Sequence, residues 1–171
     1  MEIRRATIED ASHILRLQQE IIETTDFFAH APTDDQPTLA MQQQRIKETE
    51  ENGGITLVAE TDRDVVGFLF LARSPKLRFR HVGTLGIGIS NAYTGKGLGT
   101  RMMTHAIQWA QEQEGLEKIC LGVFSHNERA IHTYKKLGFV EEGRQIRQLK
   151  LENGKYVDDV YMALFLNVPS V

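Results

Sequence analysis

The 171-residue chain has a single cysteine, Cys120. One thiol excludes an internal disulfide and every metal site built on several cysteines, and no metal is expected. Long apolar runs are missing too: stretches such as "VVGFLFLA", Val65 to Ala72, are far too short to cross a bilayer. The opening "MEIRRATIED" is too charged for a secretory leader, so a cytoplasmic protein without a membrane partner is expected. A basic excess is lacking as well. The formal net charge is -3 and no basic stripe stands out, which argues against a nucleic-acid partner and suits an amine-bearing one. There is no Pro-, Gly- or Ser-rich linker, internal repeat or low-complexity run, so residues 1–171 are expected to form a single domain around one core.

What the chain does have is clear periodicity. "EIRRATI" alternates as a strand, and Thr7 followed by Asp10 reads as a helix cap. Ala11, Ile14, Leu15, Leu17, Ile21 and Ile22 then predict a helix from about Glu9 to Thr24. "DFFAHAPTDDQP" breaks that pattern with two prolines and reads as a loop. Helical spacing resumes through Leu39, Met41 or Gln42, and Ile46, and stops near Gly53 and Gly54. "ITLVAE" and "DVVGFLFLAR" predict a hairpin joined across Thr61 to Arg63, and "HVGTLGIGIS" predicts a glycine-rich strand open to close backbone approach. A helix with Leu98, Met102, Ala106, Ile107 and Ala110 on one face follows. "EKICLGVF" reads as a buried strand, "NERAIHTYKKLGF" as a short helix stopped by Gly138, and the last segment as a hairpin turning at Asn153-Gly154. The order is β-α-α-β-β-β-α-β-α-β-β, a mixed α/β domain.

Between the glycine-rich strand and the following helix stands "TGKGLG", with glycines at 95, 97 and 99. Glycine inside a helix costs roughly 1 kcal/mol against alanine, so three at a helix start imply a hard bend or a close approach. The first free N–H groups of a helix carry partial positive charge and form an anion site when no side chain covers them. A phosphate cradle and a tight strand-to-helix turn are both compatible with this. The ATP and GTP P-loop is excluded, because Gly95-Lys96 is followed by Gly97 and Ser90 stands where its first glycine belongs. The dinucleotide fingerprint fails as well, since the spacing is Gly-x-Gly-x-Gly and the next strand ends in "VFSHN" with no acid.

"TGKGLG" resembles the acyl-CoA-binding turn of the GNAT superfamily of N-acetyltransferases, whose signature is Gln or Arg, two residues, then Gly-x-Gly or Gly-x-Ala. Gly97 and Gly99 match; Thr94 departs, where Gln or Arg is usual. "NERAIHTYKKLGF" is similar to a second block of the superfamily, Asn-x-x-Ala-x-x-x-Tyr-x-x-x-Gly-Phe, filled by Asn127, Ala130, Tyr134, Gly138 and Phe139. The two blocks stand in the right order, and the resemblance runs from Ile3 to about Leu166. It implies a GNAT-like, mostly antiparallel sheet of about seven strands flanked by about four helices, with splayed central strands. It further implies an acetyl-CoA-dependent N-acetyltransferase acting on an amine acceptor, and it leaves a homodimer open.

By the same resemblance, Gly95, Lys96, Gly97, Gly99 and Thr100 hold the cofactor's phosphates. The backbone of Ile87 and Ile89 meets the amides of its arm in the gap between splayed strands. Tyr134 is implied to protonate the leaving sulfur; on its own it would read as a ring packed under the sheet. Asn127 suits a helix cap and a contact to the cofactor arm. Relatives often carry a glutamate where this chain has Thr84, so the base is open: water held by Thr84 and His81, or an acid such as Glu23 or Asp26. Cys120 alternates with Ile119 and Leu121 inside a strand and reads as buried rather than as a nucleophile. The acceptor is expected against the segment from Glu20 to Pro37, where Phe27 and Phe28 wall the site and Glu23 and Asp26 attract an amine. A solvated loop with two anchoring aromatics is the plainer reading of that segment.

Overall fold

The computed structural model describes residues 1–62 and 64–166. Its elements are β1 (Glu2–Arg5), α1 (Ala11–Thr24), α2 (Leu39–Glu51), β2 (Ile55–Glu60), β3 (Val65–Arg73), β4 (Val82–Ile89), α3 (Leu98–Gln111), β5 (Lys118–Phe124), α4 (Glu128–Lys136), β6 (Val140–Lys150) and β7 (Tyr156–Phe165). Their order is the one that the periodicity predicts. The helix α1 starts two residues later than expected, because Ile8–Asp10 first make a 3-10 turn. Asp10 is the cause: its carboxylate accepts the Thr7 N–H at 2.7 Å and both terminal nitrogens of Arg4 at 2.8 and 2.9 Å, which draws the chain in before the wider helix begins. Hydrogen bonding to Arg4, opposed by partial burial, holds that carboxyl below the usual aspartate range.

The strands form one sheet in the order β1-β2-β3-β4-β5-β7-β6. All neighbours are antiparallel except β4 and β5. Both faces are covered, so the expectation of one core gives way to two clusters. Ile55, Leu57, Leu69, Leu71, Leu85, Ile119 and Met162 pack against α3 and α4 on one face. Val58, Phe68 and Phe70 pack against Ala11, Ile14, Leu17, Ile21 and Ile46 of α1 and α2 on the other. The run from Val65 to Leu71 is buried throughout for this reason, its side chains alternating between the two clusters. Each buried aliphatic side chain is worth roughly 1.5–3 kcal/mol, and loss of either layer would remove several.

The parallel pair β4–β5 is brief. Its register covers Val82↔Lys118, Gly83↔Ile119 and Thr84↔Cys120 and ends there. Beyond it, β4 follows β3 as far as Ile89 opposite Gly67, while β5 follows β7 as far as Phe124 opposite Asp159. Each strand keeps its own partner through the twist of the sheet, so the two part and leave a V-shaped gap. The splayed central strands of the sequence reading are therefore present. At the far edge, Asn153 turns the last hairpin by accepting the Lys155 N–H at 2.9 Å, with Gly154 at φ +83°.

Candidate active site

The gap presents unpaired backbone. The Ser90 N–H donates to the Val66 carbonyl at 3.0 Å, on the β3 side. Successive N–H groups of a strand point to opposite edges, so those of Ile89 and Ile87 point into the gap. Both residues also lean on the core beneath α3.

At the end of β4 the chain enters the glycine turn. Gly97 caps α3 at φ +81° and ψ -2°, and Gly95 also has a positive φ of +75°. The first bond of α3 runs from the Arg101 N–H to the Gly97 carbonyl at 3.1 Å. That leaves the N–H groups of Leu98, Gly99 and Thr100 without a protein acceptor among the described residues. A Cβ on Gly97 would meet nothing within 4 Å, so glycine is needed there for its dihedral and leaves the front of the turn open. A Cβ on Gly99 would come within 3.1 Å of Ile89 Cδ1, so glycine is needed there for close helix-to-strand packing. The two readings of the turn are both realised, at different residues.

Thr94 offers no side chain to the front of the turn, since its hydroxyl donates to the Ser90 carbonyl at 3.2 Å. Lys96 is exposed, its Nζ 5.7 Å from the centre of the Tyr93 ring. A cation that sequence reasoning missed stands close by: Arg129 of α4 has a guanidinium nitrogen 3.8 Å from the Cβ position of Gly95. Its signal was its place beside Asn127 in a motif read for other residues.

Asn127 is the cap of α4, accepting the Ala130 N–H at 3.3 Å. The cap directs Tyr134 inward, where its ring packs 5.9 Å from that of Phe139 and is 8 % exposed. Burial pushes its phenol up to about 12. Among the described residues no hydrogen bond engages its hydroxyl, and the ring is enclosed.

On the opposite face, alternation puts Thr84 and Gly86 beside Cys120 and Gly122, under α1 and the segment after it. Thr84 Oγ1 lies 3.7 Å from Cys120 Sγ at the apex of the gap. Cys120 is therefore half-buried at the throat, whereas the sequence reading buried it; only its neighbours Ile119 and Leu121 face the core. His81, exposed just before β4, accepts the Glu117 and Lys118 N–H groups at its carbonyl at 2.9 and 3.1 Å, and among the described residues no hydrogen bond joins it to Thr84.

The end of α1 and the following residues span the mouth of the gap. Ser90 Oγ donates to Glu20 Oε1 at 2.8 Å and Asn91 Nδ2 to Thr24 Oγ1 at 2.8 Å, tying this segment to β4. Asp26 Oδ1 meets His126 Nε2 at 2.9 Å, tying it to the end of β5. Phe27 and Phe124 flank the His126 ring at 5.2 and 6.2 Å. Glu23 is exposed on the last turn of α1. Phe28 packs 6.4 Å from Phe68 against the α1–α2 core, the anchoring contact that the plainer reading of the segment expects.

Two further residues on this face come from β7. Asp159 is paired with Phe124 and Tyr161 with Gly122, and cross-strand partners share a face. Asp159 Oδ1 is sealed from solvent without a hydrogen-bond partner, and both carboxylate oxygens hang over Gly122, at 3.3 and 3.8 Å from its Cβ position. The charge of Asp159 and a hydrogen bond to it raise the Tyr161 phenol, with burial adding to the effect. By distance the Tyr161 hydroxyl meets Gln145 Oε1 at 3.2 Å, so the two acceptors compete for its proton. The period-two pattern of "DDVYMALF" already set Asp159 and Tyr161 on one side; what the sequence could not show was which face. Among the described residues no three His, Cys, Asp or Glu side chains are grouped to hold a metal ion, and no helix is long and apolar enough to cross a membrane.

The family model described as "Acetyltransferase (GNAT) family" matches residues 17–139, which take in α1, the gap, the glycine turn and Tyr134. The chain belongs to the GNAT acetyltransferase family. As a GNAT acetyltransferase it is an acetyl-transferring enzyme, and relatives bear this out. The L-amino acid N-acetyltransferase AaaT of Escherichia coli is 35% identical over 127 residues, covering 74% of this chain and 76% of the relative. The spermidine N(1)-acetyltransferase of the same organism is 35% identical over 108 residues, 63% of this chain; the match takes in 56% of that relative. Among solved structures, an acetyltransferase of the GNAT family from Streptococcus pneumoniae superposes with a TM-score of 0.89 at 29% identity, covering 97% of this chain and 99% of that one. A phosphinothricin acetyltransferase from Sinorhizobium meliloti, solved in complex with acetyl-CoA, shares the fold with a TM-score of 0.86 at 19% identity, over 96% of this chain and 88% of that one.

Proposed function

We propose that this GNAT acetyltransferase moves the acetyl group of acetyl-CoA, the co-substrate of its family, to a primary amine by direct attack in a ternary complex. The amine belongs to a small molecule such as a polyamine or amino acid, or to a protein N-terminus. The observation that carries this reading is a line of backbone donors without acceptors among the described residues, in two groups: Ile87 and Ile89 in the gap, then Leu98, Gly99 and Thr100 at the start of α3. Such a line fits a ligand with amide carbonyls at one end and phosphates at the other. Bound there, acetyl-CoA supplies an activated acetyl group and a thiol leaving group.

The chain's own groups divide the remaining work. Gly95 and Gly97 keep the front of the turn clear, and Lys96 and Arg129 add the positive charge that Thr94 does not provide. Asn127 fixes the start of α4, and α4 carries Tyr134 into the site, its hydroxyl without a protein partner among the described residues. Tyr134 keeps its proton throughout the physiological range and gives it to sulfur as the C–S bond breaks. A phenol near 12 is a weaker acid than a free one, but a thiolate forming beside the same apolar walls is penalised by the same loss of solvent, which restores the match. Thr84, at the apex, hydrogen-bonds the incoming amine or its water without serving as a base. Glu23, Asp26 and Phe27 line the approach.

Thr84 in place of a carboxylate favours one other reading, an acyl-CoA-binding module without turnover. Thermal melts with acetyl-CoA, ATP and NAD, combined with thiol release from acetyl-CoA over a panel of amines, test both. Acetyl-CoA alone should stabilise, by about 2.7 kcal/mol at a hundredfold excess over its dissociation constant, and thiol should appear with at least one amine. Gly97→Asp should abolish the stabilisation by placing bulk and negative charge before the turn. Stabilisation by ATP or NAD but not acetyl-CoA refutes the cofactor assignment, and stabilisation without thiol release points to the binding module.

A further inference from the structure

Asp159 is a carboxylate with no counter-charge: no Lys, Arg or His reaches it among the described residues, although Asp10, Glu60, Asp64, Glu142 and Asp158 each have one. One oxygen is sealed and without a hydrogen-bond partner among the described residues, and neither oxygen has a hydrogen bond within the normal distance there. A half-buried carboxylate in this state is costly unless something cationic or hydrogen-bonding completes it. Its position relative to the gap is fixed by register. Thr84↔Cys120 is the last pair of β4 and β5, and Gly122, directly under the carboxylate, is the second residue past it. Across the gap, at the level of Gly122, stands Gly86, whose Cβ position has nothing within 4 Å. Two glycines thus make a floor without side chains on either lip of the throat, and Asp159 overhangs that floor from the β7 side, about one strand spacing, or roughly 5 Å, from the lip.

We propose that Asp159 is the acceptor-binding carboxylate of this enzyme: it holds the ammonium group of a cationic primary amine over the throat and takes its first proton. The inference rests on the transferase reading above and supplies the base that Thr84 cannot be. One ammonium proton passes to Asp159, freeing the nitrogen lone pair. The nitrogen bonds to the acetyl carbonyl carbon, the C–S bond breaks, and sulfur takes the proton of Tyr134. The second amine proton leaves the nitrogen as the amide forms and restores Tyr134, and the proton on Asp159 returns to solvent. The Tyr161 hydroxyl stands beside the carboxylate but donates to Gln145 Oε1 at 3.2 Å, and Gly122 is small because any side chain there would press on the carboxylate.

The test compares wild type, Asp159→Asn, Asp159→Glu and Gly122→Ala with spermidine, an L-α-amino acid and benzylamine as probes. Amine binding is read by calorimetry on the protein with and without CoA, and transfer by thiol release. Asp159→Asn should weaken amine binding at least tenfold and lower kcat/KM at least a hundredfold, while the melting shift produced by CoA is unchanged. Asp159→Glu should recover part of the rate. Gly122→Ala displaces the carboxylate without removing it, so it should raise KM for the amine even if the Asn variant folds poorly. Amine binding and rate within threefold of wild type in Asp159→Asn overturn the assignment, as does a wild-type protein that binds none of the three amines. Failure of the transferase reading looks different: acetyl-CoA then gives no melting shift or no thiol in wild type, while the amine titration still reports on Asp159.

Discussion

Replacing Tyr134 with phenylalanine separates chemistry from packing in one atom. The ring is enclosed and rests 5.9 Å from Phe139, and phenylalanine keeps that contact. The hydroxyl has no hydrogen bond to lose, so its deletion should leave the melting temperature near neutral pH within a degree or two, or raise it. Turnover should respond quite differently. A positioned proton donor is worth a factor of roughly 100 to 10,000, or about 3 to 5 kcal/mol of barrier, and the loss should fall on kcat with acetyl-CoA affinity preserved. The raised phenol gives a second, independent readout. The folded state holds the Tyr134 proton up to about 12, whereas the unfolded chain releases it near 10. The stability tied to that difference is fully present below pH 10 and is lost as pH rises to 12, a total of roughly 3 kcal/mol. Tyr134→Phe has no such proton, so its alkaline unfolding midpoint should lie above that of wild type. The assay is thiol release under saturating acetyl-CoA, beside denaturant melts at pH 8 and pH 11, on the same preparation. A rate within threefold of wild type, or equal loss of stability in both proteins between those pH values, refutes the reasoning.

Two further outcomes are expected. Asp10→Ala should cost about 2 to 4 kcal/mol in denaturant melts, since it strips the Thr7 N–H of its acceptor and leaves Arg4 with Glu60 alone; because the Asp10 carboxyl is held low, its stabilisation is present above about pH 4 and lost as pH falls through the depressed value, so the variant should lack that portion of the acid transition. Phe28→Ala should lower stability by about 2 to 4 kcal/mol through its contact with the α1–α2 core, whereas Phe27→Ala, at a ring 40 % exposed, should mainly raise KM for the amine.

The fold was legible because its periodicities are local. The short apolar runs "ITLVAE" and "VVGFLFLAR", the stops at Gly53 and Gly138 and the turn at Asn153-Gly154 each follow from neighbours a few residues apart, and the element order came out as read. The glycine turn and Asn127 were legible for the same reason, since a helix start is a local object. What lay beyond reach were relations across the sheet. The two-layered core, the anchoring of Phe28 on Phe68 and the overhang of Asp159 on Gly122 all depend on which strand lies beside which. Arg129 was missed similarly, because its approach to Gly95 joins the starts of two helices far apart in the chain.

The brief β4–β5 pairing also gives the molecule a mechanical asymmetry. Residues of β1 to β4 form one panel and those of β5 to β7 another, joined by the three-residue β4–β5 pairing, by the chain itself through α3 and its following turn, and by side chains such as Asp26 and Phe27 on His126. On the α3–α4 side the panels share a continuous apolar core that includes Leu85, Ile119, Leu121 and Val160. On the other side, among the described residues, they are tied only by small contacts: Asp26 and Phe27 on His126, and Thr84 beside Cys120. Spreading the panels on that side would break a few side-chain contacts, while spreading them on the α3–α4 side would have to open buried apolar packing, so the two faces of the sheet resist bending unequally.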